Sequence, residues 1–244
     1  MITSIVTVTM IFVYMDYLKH KPPEKTLLDG GVLLVYPLMT EIAYAPDSFY
    51  AYYDGRCGEE CLVTPIKIQH GTRYVLGMNT YDILNQNYYS IFDIDLDKNP
   101  EMLKKYHTVI LLHEEYITKN LYNTINNHPN VIYLYPNSMY AEVSIDYSNE
   151  TISLVRGHGY PDGALNGFGW IHENTNQEAE CKIGEWQFKN ITNGIQLNCY
   201  PENIIVYDKT LQDYITLYIK NSSMNHIPDK PIIKGDIKVN VIGK

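Results

Sequence analysis

The sequence predicts an α/β domain built on an open, mostly parallel sheet flanked by helices, with an antiparallel β appendage towards its C-terminus. Three observations carry that expectation. Four short apolar runs recur before residue 136, segments of helical spacing separate them, and beyond residue 140 the chain changes to paired runs around tight turns.

The first run, residues 32–37, contains Leu33, Leu34 and Val35 without a polar interruption, the pattern of a strand buried on both faces. Residues 90–96 alternate Ile91, Asp93 and Asp95 with Phe92, Ile94 and Leu96 and read as a second strand. Residues 108–112 (TVILL) and 131–135 (VIYLY) supply two more. Helical spacing covers 74–84, then 100–106, where Pro100 suits a first turn, and 118–127, where Thr118 is a candidate N-cap. Strands alternating with helices imply parallel pairing through crossovers.

After Tyr140, residues 141–147 and 151–155 flank the turn Ser148-Asn149-Glu150 as a hairpin. A loop rich in Gly, Asn and Asp follows over 156–176. Residues 185–188 and 194–198 read as another strand pair, 204–206 as one further strand and 211–219 as a last helix. Residues 227–244, rich in Lys, Pro and Ile, read as an extended tail.

Charge and composition narrow the partners. The chain of 244 residues carries a formal charge of −9 and only three arginines, Arg56, Arg73 and Arg156. It therefore lacks the basic face that nucleic acid or acidic lipid would require. Its 23 tyrosines accompany plentiful Asn, Ile and Lys, as a compositional bias would produce, so only tyrosines within motifs are candidates for chemistry.

Residues 2–15 are apolar apart from scattered Thr and Ser, and Lys19, Lys21 and the break Pro22-Pro23 follow. A membrane span needs roughly 20 apolar residues and an export core about 7–15. With no small-x-small cleavage site after it, the expectation is an uncleaved anchor or export segment over 1–23, and a buried core helix is the alternative. The organisation expected is thus that segment with its linker, an α/β domain over 24–226, and the tail.

Four cysteines form a close pair, Cys57 and Cys61, and a wider one, Cys181 and Cys199. Even counts in exported chains usually mean disulfides. Asn149, Asn190 and Asn221 head three glycosylation sequons. These features point to an extracytoplasmic glycoprotein.

In open parallel sheets, ligands bind beyond the carboxyl ends of the strands, where loops diverge and helix N-termini converge. That rule selects residues 40–50 after the first strand, 95–98 after the second, His113-Glu114-Glu115-Tyr116 after the third and Pro136-Asn137 after the fourth. The third group is the richest, with an imidazole and two carboxyls offering metal ligands and a general base together. Its plainer reading is acidic residues favouring the start of the next helix. Asp93-x-Asp95-x-Asp97 resembles a calcium loop but has Lys98 where glycine belongs and Lys104 where glutamate belongs. The loop 156–163 can lid the site and contribute His158, although a turn-rich connection is the plainer reading.

Four of these segments, in order from about residue 30 to 147, resemble the C-terminal domain of the large (beta) subunit of N,N-dimethylformamidase, whose core is similar to the class I glutamine amidotransferase-like fold. They are Thr40-x-x-Ala43-Tyr44, Ser48-Phe49-Tyr50, residues 108–116 ending in His113-x-Glu115-Tyr116, and Asn137-x-x-Tyr140-x-x-Val143. The resemblance implies an iron centre held by tyrosine and glutamate oxygens that hydrolyses an amide. On that reading Tyr44 and Glu115 are ligands, His113 is an acid/base or orienting group and Asn137 a hydrogen-bonding neighbour. The family's second tyrosine ligand lies in an Arg-Pro-Tyr context, for which Arg73-Tyr74 is a partial stand-in. Amidotransferases carry a nucleophilic cysteine directly after the central strand, where this chain has His113 and Glu114, so Cys57 is a poor candidate nucleophile.

The resulting expectation is an extracytoplasmic, metal-dependent hydrolase of C–N bonds in small amides, exported or held at a membrane by its N-terminal segment. The alternative is a non-catalytic cell-surface or envelope interaction domain that keeps the fold.

Overall fold

The computed structural model of the protein describes residues 31–66, 77–170 and 179–224. The expected N-terminal segment, Arg73-Tyr74 and the tail lie outside the described residues.

The first apolar run forms strand β1 (Val32–Tyr36), and two short helices follow it, α1 (Leu38–Ala43) and α2 (Phe49–Tyr53). After a 3-10 turn come strand β2 (Val63–Pro65), helix α3 (Met78–Leu84), strand β3 (Tyr89–Phe92) and helix α4 (Asp93–Lys98). Next are β4 (Thr108–Leu111), β5 (Tyr116–Thr118), α5 (Lys119–Asn126) and β6 (Val131–Tyr133). The hairpin β7 (Ala141–Asp146) and β8 (Thr151–Arg156), the pair β9 (Phe188–Ile191) and β10 (Gly194–Leu197), and helix α6 (Lys209–Met224) complete the described elements.

Six strands form the main sheet in the order β3-β1-β4-β6-β10-β9, with β9 alone antiparallel to its neighbour. The five parallel strands, taken in chain order, stand as 2-1-3-4-5, the flavodoxin-like arrangement. From β1 the chain first builds outward to β3 and then crosses back to β4. The topological switch point is therefore between β1 and β4.

Two-residue periodicity gives the sheet two cores. Leu33, Val35, Val109, Leu111, Val131 and Tyr133 face one, together with α1, α2 and α5. Leu34, Ile110, Leu112, Ile132 and Leu134 face the other, where Leu211, Ile215 and Ile219 of α6 cover them. A second sheet of four strands, β2-β8-β7-β5, packs into the first core through Ile117, Val143, Ile152 and Leu154.

The expected α/β class stands, and several boundaries move. The run 90–96 is not one strand. It bends at Phe92 into α4, because Asp93 is buried and accepts hydrogen bonds from the Met39 and Ile94 amides at 2.8 and 2.6 Å. Thr118 does cap α5, its hydroxyl accepting the Leu121 amide at 3.2 Å. Residues 204–206 form turns, with the Ile204 and Ile205 amides donating to Pro201 O, and lead into the longer α6. The expected C-terminal antiparallel pair is present as β9 and β10, and β10 also pairs parallel to β6, so the pair joins the edge of the main sheet. Its first strand begins at Phe188, so most of 185–188 precedes it.

Cys57 pairs with Cys61 and Cys181 with Cys199, leaving no free thiol. Two disulfides indicate an oxidising, extracytoplasmic environment. Asn149, Asn190 and Asn221 are all exposed, on the β7–β8 turn, edge strand β9 and α6 respectively. Among the described residues no helix is long and apolar enough to cross a membrane.

Loop-closure entropy ranks the two bridges. The Cys181–Cys199 bridge spans 18 residues and is expected to contribute about 3 kcal/mol, against about 2 kcal/mol for the four-residue Cys57–Cys61 loop. Urea unfolding of the two double Cys→Ala variants checks this, and the Cys181/Cys199 variant should have the lower midpoint.

Candidate functional site

The site forms because the switch point brings the exits of β1 and β4 side by side. Thr40 on α1 and Tyr44, the residue that caps its C-terminal end, are four residues apart and lie on one face. The Thr40 hydroxyl accepts the amides of Glu115 and Tyr116, both at 3.1 Å. One turn later the Tyr44 hydroxyl donates to Glu115 Oε2 at 2.6 Å. From the far side, the loop after β6 clamps the same segment, with the Met139 amide on Glu114 O at 2.6 Å and the Tyr140 and Ala141 amides on Glu115 O at 2.8 and 2.9 Å. Alternation then sends neighbouring side chains apart, so Glu115 faces Tyr44 while Glu114 faces Asp93.

Glu115 is the hub. His113 Nε2 stands 3.5 Å from its Oε2, and His158 Nε2 stands 3.7 Å from its Oε1. The Tyr50 hydroxyl lies 3.3 Å from His158 Nε2, and the Tyr50 ring packs beside Tyr44 with centroids 4.3 Å apart. Tyr53 stacks on His158 at 4.2 Å. Burial and the Glu115 charge raise the pKa values of Tyr44 and Tyr50, burial contributing most, so both phenols stay protonated and Tyr44 donates to Glu115.

His113 is fully enclosed between the rings of Tyr135 and Tyr200, at 5.3 and 5.6 Å. Burial pulls its pKa down to about 4, which Asn137 partly opposes. Among the described residues, neither of its ring nitrogens has a hydrogen-bond partner, and neither does the buried Asn137 Oδ1. His113 is thus a neutral, desolvated imidazole beside a carboxylate, able to accept a proton or donate a lone pair.

The structure joins Tyr44, His113 and Glu115, places Asn137 beside His113, and leaves Tyr74 outside the described residues. Tyr50, Tyr53 and His158 complete the cluster. A lone histidine among glycines gives little sequence signal, because its approach depends on a return of the chain from beyond β8. Glu202 is a further buried acid behind the site. It accepts from the Asn79 amide at 2.7 Å and the Tyr135 hydroxyl at 2.9 Å, and it holds the ring that flanks His113.

Does this set fit the metal that the resemblance implies? Tyr44 Oη and Glu115 Oε2 are hard oxygen donors near enough to serve one cation in place of the phenolic proton. Among the described residues, no group of three or more His, Cys, Asp or Glu side chains is disposed to hold a metal ion. A metal here would therefore depend on phenolic oxygen, and Tyr50 is the described tyrosine placed beside Tyr44.

A scan against protein-family models finds no match to this chain, and no curated protein matches it.

Behind the site, Asp93 and Glu114 form a fully buried carboxyl pair. Burial pushes Asp93 up to about 7, and burial with the Asp93 charge raises Glu114. Between about pH 4 and 7 the folded pair binds more protons than the unfolded chain, so its contribution to stability falls as pH rises. Buried His113 acts oppositely between its ordinary 6.5 and about 4, which makes the difference between variants the informative quantity. Glu114→Gln should gain stability relative to the unsubstituted protein on going from pH 5 to pH 8, by on the order of a few kcal/mol. Urea midpoints at the two pH values check it, and a constant difference sinks it.

Proposed function

We propose that this chain is an extracytoplasmic hydrolase of C–N bonds in small amides, working at a metal centre, with iron as the first candidate. The Tyr44–Glu115 oxygen pair carries the reading, two hard donors 2.6 Å apart at the sheet's switch point with His113 alongside. Its further support is the order of four motifs that resemble the N,N-dimethylformamidase large subunit.

Tyr44 and Glu115 would hold the metal, with Tyr50 placed to serve as the second tyrosine. The metal, when bound, supplies Lewis acidity that polarises an amide carbonyl or acidifies water. His113, neutral and 3.5 Å from Glu115, would take a proton from the attacking water as a weak base that the adjacent carboxylate assists, and Asn137 would orient His113 or the amide. Tyr135, fixed by Glu202, keeps the imidazole in place and shields it from bulk water. An exported or membrane-held location accords with the disulfides and the N-terminal apolar segment.

A second reading is a non-catalytic surface domain, favoured by the burial of the site: Glu115 and His113 are 2% and 1% exposed. The two readings separate on the oxidised, full-length protein. Elemental analysis should give about one transition-metal ion per chain, lost at least about tenfold in Glu115→Ala and in Tyr44→Phe. Ammonia release from formamide or acetamide should fall about a hundredfold or more in His113→Ala. Absence of metal, or metal content indifferent to both ligand substitutions, would establish the non-catalytic reading instead.

A further inference from the structure

His158 arrives at the site from a segment that the motif resemblance does not cover. It stands two residues beyond the end of β8 and is carried by a loop with no helix or strand of its own. That loop is nevertheless firmly built. The His158 amide donates to Leu165 O at 2.9 Å, Gly159 N to Ala164 O at 3.0 Å, and Gly157 N to Tyr160 O at 2.7 Å. His158 itself has φ of 55°, a left-handed conformation uncommon outside glycine, which Asn, Asp and His adopt more readily than other side chains. Beside it, Gly157 has φ of 121°, and a Cβ there would come within 2.8 Å of Ala141 Cα, so the chain passes where only glycine fits.

This arrangement aims an imidazole at Glu115 Oε1, while His113 lies nearest Oε2. Tyr53 stacks on the ring at an interplanar angle of 12°, Tyr140 meets it edge-on at 5.6 Å, and Nε2 faces both the Tyr50 hydroxyl and Glu115 Oε1. The side chain is 29% exposed where those of His113 and Glu115 are 1% and 2%. It is therefore the imidazole that spans from solvent to the carboxylate. A residue held in an uncommon backbone conformation, with its ring orientation fixed by packing, has the form of a pre-organised contact group.

We propose that His158 is a substrate-contacting residue of this site, whose Nε2 hydrogen-bonds the polar atoms of a small amide as it sits between solvent and Glu115. The proposal rests on the reading of the site as one that takes small amides. It adds to that reading the group that positions the amide. In the reaction, water oxygen bonds to the carbonyl carbon, the C–N bond breaks, and a proton originating from water ends on the departing nitrogen. His158 contributes by holding the amide in register for that exchange.

Two measurements on the full, disulfide-bonded chain test it. In the first, diethyl pyrocarbonate modification is followed by peptide mass spectrometry, with acetamide as the probe. His158 should react, enclosed His113 should be spared, and saturating acetamide should slow His158 modification by about fivefold or more, as a direct contact would. The second uses His158→Asn, because asparagine tolerates positive φ and keeps the loop while withdrawing the imidazole. Its KM for acetamide should rise about tenfold, with kcat within about threefold and metal content and melting temperature unchanged. No protection by acetamide, or an unchanged KM in His158→Asn, overturns the proposal. Protection of His158 in a protein that holds no metal and turns over no amide would sustain the contact and remove the hydrolase.

Discussion

Everything at the site depends on one hydroxyl. Thr40 Oγ1 receives two consecutive amides, those of Glu115 and Tyr116, just where β4 ends and the chain would otherwise leave the sheet unsupported. Those amides are buried, and leaving either without an acceptor would cost about 1–3 kcal/mol. Because the acceptor comes from α1, the exit of β4 is locked to the helix that follows β1. Tyr44, one turn along at the cap of the same helix, is then carried to Glu115 without further adjustment. The clamp from Met139, Tyr140 and Ala141 on the carbonyls of Glu114 and Glu115 fixes the other side of the segment. Three distant stretches of chain thus meet at four residues.

This arrangement explains why adjacent glutamates serve different ends. Glu115 accepts from Tyr44 and has the two imidazoles beside it, whereas Glu114 meets another carboxyl, Asp93. Two acids at close quarters in a buried setting cannot both ionise, so that pair retains a proton. Asp93 at the same time accepts the Met39 amide at the start of α1. The carboxyl pair and the Thr40 clamp therefore brace the same helix from two points, and the cost of burying acids is spent on holding Tyr44 in place.

How far the sequence revealed this differs from residue to residue. The apolar runs at 32–37, 108–112 and 131–135 announced β1, β4 and β6, because strands buried on both faces have nowhere to place a polar side chain. Tyr44, His113, Glu115 and Asn137 were legible since each follows one of those strands. The bend at Asp93 was not, because alternation suits a strand until a tertiary partner, the Met39 amide, claims the aspartate and starts a helix. Sheet β2-β8-β7-β5 was only half visible, its inner hairpin marked by a turn and its outer strands β2 and β5 too short to carry a period. His158 was legible only as a residue that its loop could contribute, beside the plainer reading of a turn-rich connection. The contacts of its Nε2 run to Glu115 and Tyr50, 43 and 108 positions away, and no local spacing encodes them.

The electrostatics of the hub give the proposed cation its place. Burial depresses the pKa values of both imidazoles beside Glu115, that of His113 to about 4, so they offer it dipoles rather than positive charge. Tyr44 offers a proton that the same burial prevents it from giving up. A carboxylate enclosed in this way carries a desolvation cost that hydrogen bonds offset only in part. Exchanging the Tyr44 proton for a multivalent cation would turn each raised phenol from an obstacle into a ligand, since a bound cation inverts the local preference for the neutral form. The raised phenols and the enclosed carboxylate thus belong to one electrostatic arrangement, in which the proposed metal ion would compete with a tightly held proton for the same pair of oxygens.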